Sequence, residues 1–181
     1  MASNFEISEV FGWHSVIKRY AKEWKWDIIL PLVVTVLLLA FAFIEHVPSN
    51  LLVSESIGVG LVVIPVFLSV LVAGYVLLLT IYFSGNIDVF LENDEGKDLL
   101  YRINANYAFC IVNAIIGLAL TIVVSFIFHL NIRVMHPGWL NYPACGAIYV
   151  FVLFTLKNLK DLVIALFDFG QTFIFSKEIK G

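Results

Sequence analysis

Charge is missing from most of this sequence, and cysteine and proline are scarce. Of 181 residues only 14% are charged, five are proline and two are cysteine. A soluble domain carries roughly a quarter of its residues as charges, so the shortage excludes that class. Two cysteines exclude a small disulfide-built scaffold. The sequence also contains no Walker loop, no H-E-x-x-H, no G-x-S-x-G and no C-x-x-C pair. The motifs of phosphate binding, zinc proteolysis, serine hydrolysis and dithiol exchange are therefore absent. The net charge of −3 divides into basic residues flanking the apolar runs and an acidic stretch, and nothing in the sequence points to nucleic acid. What is there instead is apolar: 61% hydrophobic residues and a mean hydropathy of +0.94. This is the composition of an integral membrane protein.

Four apolar runs are long enough to cross about 30 Å of hydrocarbon. They cover residues 27–44, 57–83, 105–128 and 139–156. The second holds no charge from Ile57 to Phe83, and Pro65 marks a place for a kink. The segments 45–56, with Pro48, Ser49 and Asn50, and 129–143, with Pro137, Gly138 and Pro143, read as turns. The fold class is accordingly an all-α membrane protein, a single domain of four transmembrane helices.

The eleven Lys and Arg residues orient it. Lys18, Arg19, Lys22 and Lys25 precede the first run, Lys97 and Arg102 lie between the second and third, and Lys157, Lys160, Lys177 and Lys180 follow the fourth. Only Arg133 lies elsewhere. Basic loops stay on the cytoplasmic side, which predicts both termini inside. No cleavable signal peptide is visible, because the first ten residues carry two acidic groups and no basic one.

Two further segments read as amphipathic. Val10, Trp13, Ile17, Tyr20 and Trp24 recur at helical spacing, with Lys18, Lys22 and Lys25 mostly turned away from that face and Arg19 among the membrane-surface residues. This predicts an N-terminal interfacial helix, serving as a membrane-surface anchor or as a docking helix for a cytosolic partner. In the tail 157–181, Asp161, Asp168 and Gln171 interrupt an otherwise apolar sequence. A fifth span would bury two carboxylates and carry Lys177 and Lys180 outward, so the tail reads as a cytoplasmic continuation of the fourth helix.

Sites for chemistry are few. The acidic stretch with Asp88, Glu92, Asp94, Glu95 and Asp98 fails as a calcium loop, since Arg102 falls where an EF-hand needs its bidentate Glu. It reads as a capped turn leading into the third span, and as a partner-docking surface. His46, His129 and His136 gather on the predicted outer side without a metal-ligand spacing. Cys110 and Cys145 fall at opposite depths and read as small apolar residues. No cofactor, metal or catalytic residue is assigned.

The third span carries the one continuous polar pattern. Arg102, Asn106, Cys110, Asn113, Gly117, Thr121, Ser125 and His129 recur every third or fourth position. Such a stripe permits close helix packing and interhelical hydrogen bonds. It reads as a packing seam within a bundle or between subunits, or as the lining of a water-filled path. Ser69 and Ala73 in the second span, and Pro31 and Thr35 in the first, are its expected neighbours. Four close-packed helices leave no lumen, so conduction would need several copies. The small core predicts a homo-oligomer, with a tetramer favoured.

Two functions follow. The first is a non-enzymatic sensor or effector subunit that signals to or with a cytosolic partner; the second is a homo-oligomeric channel lined by the third span. In size, span count and topology the chain resembles the membrane subunit of the Kiwa-type bacterial phage-defence systems. That resemblance implies an antiviral role, sensing membrane perturbation beside a cytosolic DNA-binding partner. It rests on architecture alone, so no residue role passes through it.

Overall fold

The computed structural model of the protein describes residues 24–83, 94–130 and 138–180; for 24–26, 83, 94, 95, 168, 169 and 172–180 it describes the backbone only. These residues form four helices: α1 (Trp24–Ile44), α2 (Ser49–Phe83), α3 (Asp94–His129) and α4 (Gly138–Lys180). Three of them contain stretches long and apolar enough to cross a membrane, Asp27–Ile44, Ser49–Tyr82 and Gly96–His129. The protein is thus an all-helical membrane protein.

Helix is what such sequences must form, because hydrocarbon offers no partner to a free N–H or C=O. Hydroxyls obey the same constraint by bonding back into their own helix. Ser69, Thr80, Thr121 and Thr155 each donate to the carbonyl four residues earlier, at 2.7–2.9 Å. Pro31, Pro65 and Pro143 all lie inside helices.

Two predicted turns are shorter than the sequence reading. The first spans only residues 45–48, and 49–56 belong to α2. The backbone closes quickly here: His46 adopts a left-handed φ of 53°, His46 N–H bonds Phe43 O and Val47 N–H bonds Ala42 O. This is a Schellman ending with His where glycine is usual. Pro48 O then accepts from Leu51 and Leu52, which starts α2 at once. At the other turn α4 begins at Gly138, so Asn141 to Pro143 are helical; a proline this early in a helix forgoes only one near-terminal bond. α3 begins at Asp94, ahead of the predicted span, and α4 runs on past Leu156 to Lys180 without a break. Trp24 and Lys25 lie in the first turn of α1. Trp13, Lys18, Arg19, Lys22, Asp88, Glu92 and His136 lie outside the described residues.

α2, α3 and α4 pack against one another in pairs, whereas α1 has extensive contact with α4 alone. The core runs along the axis of the three-helix unit through Val53, Ile64, Leu71, Leu78, Tyr107, Ala114 and Ile148, all buried. α1 lies outside it. Tyr142 of α4 meets Phe43 near the end of α1, Gly146 faces Leu39, and Lys157 reaches Asp27. Residues 142–157 therefore lie antiparallel to α1 over nearly its full length.

Candidate functional site

The polar stripe of α3 is divided among three environments. Its centre is packing. Gly60 of α2 faces Thr121, and a Cβ at Gly60 would stand 2.8 Å from Thr121 Cγ2 and 3.0 Å from Ile148 Cγ2. Three helices meet there at a distance only glycine permits. Thr121 is fully buried, with its hydroxyl on Gly117 O at 2.8 Å. Gly117 is closed by Phe151 of α4, which a Cβ would approach to 3.0 Å. Cys110 is buried and free.

Elsewhere the stripe opens. Asn106 and Asn113 are half-buried, and the buried Nδ2 of Asn113 has no hydrogen-bond partner among the described residues. Leaving such a donor unmatched costs about 1–3 kcal/mol. Ser125 is half-buried and His129 exposed; His129 Nδ1 bonds Ser125 O at 2.7 Å, and both line a shallow cleft with Leu61, Ile122 and Phe126. Arg102 is exposed and pairs with Asp98 one turn back at 3.5 Å.

The expected neighbours of the stripe are corrected. Ser69 and Ala73 are exposed on α2, and Ser69 bonds its own helix. Pro31 and Thr35 are buried against α4, not α3, because α1 packs there. The true neighbours are Gly60 and Phe151; off the stripe, the Tyr75 hydroxyl donates to Asn104 Oδ1 at 2.9 Å. Gly74 complements this, making room for the Tyr107 hydroxyl at a hypothetical Cβ distance of 2.8 Å.

Charge is concentrated at one end of the bundle, where Lys97, Arg102, Lys157 and Lys160 all lie. Lys157 donates to Asp27 of α1 and, at 3.0 Å, to Asp161; Lys160 bonds the other oxygen of Asp161 at 3.1 Å. Lys157 and Asp27 are 19% and 20% exposed, against 65% for Lys160. Burial would push the Lys157 ammonium down, but its hydrogen bonds to Asp27 and Asp161 prevail and hold it above its ordinary value. Burial would likewise raise the Asp161 carboxyl, yet hydrogen bonds from Lys157 and Lys160 hold it below. Both groups stay charged near neutral pH, and the cluster ties α1 to the core.

At the other end Asn141 Nδ2 donates to Asn50 Oδ1 at 2.7 Å and to Ser49 Oγ at 3.3 Å, joining α4 to the start of α2. Among the described residues no three His, Cys, Asp or Glu side chains gather closely enough to hold a metal ion. The Asp27–Lys157 pair was missed from sequence, although both residues flank apolar runs at one predicted depth. Gly60 was missed too; its signal is the G-x-G at Gly58 and Gly60 inside an apolar span. Compared with protein-family profiles, curated proteins and solved structures, the chain matches none.

Proposed function

We propose that this chain is a four-span subunit of a bacterial inner membrane that works without catalysis, passing a change in the bilayer to a cytosolic partner at its basic end. The observation that supports this reading is the unequal attachment of α1: it leans mainly on α4 and is held at one end by Asp27, Lys157 and Asp161. A helix so exposed to lipid, held at one end by an ion pair, offers a contact with α4 that lateral pressure can bias. The antiparallel course of residues 142–157 beside α1 supports the fourth span, and the clustering of described basic side chains at one end supports the orientation. A role in phage defence, of the Kiwa type, belongs to the same proposal. So does a homo-tetramer, favoured by how little of each helix this small bundle covers; mass measurement in lipid that finds only monomers removes that part.

The channel reading has less support. Lining a pore with Gly117 and Thr121 would first require Phe151 and Gly60 to leave them.

The test is to lock α1 onto α4. Cys introduced at Leu39 and Gly146, where a Cβ at 146 would stand 3.1 Å from Leu39 Cδ1, are cross-linked in a chain lacking Cys110 and Cys145. In cells carrying the chain with its neighbouring genes, cross-linking should abolish phage protection and a reductant should restore it. Full protection with α1 locked would overturn the proposal. Replacing Asp94, Glu95 and Asp98 by Lys should impair partner-dependent activity while leaving membrane insertion intact.

A further inference from the structure

Between α1 and α4, at the end that carries the charge cluster, lies a groove of about 360 Å³. Its walls are apolar, with Leu30 and Val34 on one side and Leu153 and Leu156 on the other, and Pro31 at its base. Leu30 and Leu156 are 58% and 47% exposed, so the groove opens toward the bilayer rather than into the bundle. Two charged residues line it, Lys157 and Lys160, and both are cations. The carboxylates that pair with them, Asp27 and Asp161, are not part of the lining.

We propose that this groove binds one anionic glycerophospholipid, with its phosphate at Lys160 and Lys157 and an acyl chain along Leu30, Val34, Leu153 and Leu156. The charges match in order as well as in sign: cations at the headgroup level, hydrocarbon below. Lys160 is the principal ligand. Its pairing with Asp161 is solvent-exposed and contributes little, so a phosphate can share or displace it, whereas Lys157 stays committed to α1. A zwitterionic ethanolamine lipid brings its own ammonium to the two lysines, and the nearby Asp161 carboxylate is already paired with both of them. The lipid then lies against the same contact that tethers α1, and its presence reinforces the α1–α4 junction. The leaflet, and only the leaflet, rests on the orientation proposed above.

Lipid exchange onto the purified full chain in nanodiscs, using phosphatidylglycerol and phosphatidylethanolamine as probes, tests this. Native mass spectrometry should show one phosphatidylglycerol retained in preference to phosphatidylethanolamine. Lys160→Gln should weaken phosphatidylglycerol about fivefold, the effect of one lysine at an anionic surface, and leave phosphatidylethanolamine unchanged. Leu153→Trp, which fills the groove and keeps both lysines, should weaken retention of either lipid, with helicity checked by circular dichroism. Equal retention of the two lipids, or phosphatidylglycerol bound as in the native chain by both variants, would overturn the proposal. A chain that retains the lipid yet still protects cells with α1 locked would sink the signalling reading and leave this site standing.

Discussion

Lys157 of α4 donates a hydrogen bond to Asp27 of α1 across 130 positions of sequence, and this pair joins the outlying helix to the three-helix core at its basic end. The two side chains are about one-fifth exposed, placing the pair between a surface ion pair and a buried one. Its removal should therefore cost more than the ~0–1 kcal/mol of an exposed pair and less than the ~3–5 kcal/mol of a broken buried one.

Asp27→Asn and Lys157→Met should each destabilise the chain in detergent by about 1–3 kcal/mol. The double variant should lose less than the sum of the two, since both remove one interaction. Thermal or denaturant unfolding of the set checks this, and strict additivity would contradict the pair.

The tether should be insensitive to pH across the physiological range. Asp161 is held below its ordinary value, so its contribution is complete above about pH 4–5 and is lost as pH falls through the lowered value. Lys157 is held above its own, so its contribution is complete below about pH 10 and is lost as pH rises through the raised value. Spin labels at Phe41 on α1 and Leu140 on α4 should report one constant separation between about pH 5 and 9. A shift inside that window would show that another group controls α1.

Gly60→Ala should overpack the junction of three helices, since its new Cβ would fall 2.8 Å from Thr121; the cost should be about 1–3 kcal/mol. Thr121→Ala in the same chain should recover part of it. Gly58→Ala is the control, with nothing within 4 Å of its Cβ, and should be neutral or stabilising by up to about 1 kcal/mol. Unfolding midpoints of the three variants decide it.

The orientation can be read with an impermeant maleimide in a chain lacking Cys110 and Cys145. A Cys at Asn50 should be labelled from outside intact cells and one at Asp98 should not, both native side chains being exposed. The reverse pattern would invert the topology.

Length and charge made the apolar helices legible in the sequence, because lipid forces an uncharged run of that length into helix. Neighbours were not legible. α1 and α2 are apolar on every side, so nothing in residues such as Val33 or Leu61 says which face meets protein and which meets lipid. The stripe of α3 did show a face, and Gly117 and Thr121 lie buried on it, but the stripe does not name Gly60 or Phe151 as the groups that close it. The turn at 45–48 was overestimated because Pro48, Ser49 and Asn50 signal a loop, while the left-handed His46 that completes the reversal leaves no residue signature of its own. Asp27 and Lys157 lie too far apart in sequence for any local pattern to pair them.

Two distances measured in one chain show whether α1 is the movable element. One pair of spin labels bridges α1 and α4 at Phe41 and Leu140; a second bridges α2 and α3 at Val62 and Ile122. In nanodiscs perturbed with lysolipid, the α1–α4 separation should lengthen or broaden while the α2–α3 separation holds. An unchanged α1–α4 distance, or an equal change in both pairs, would contradict it.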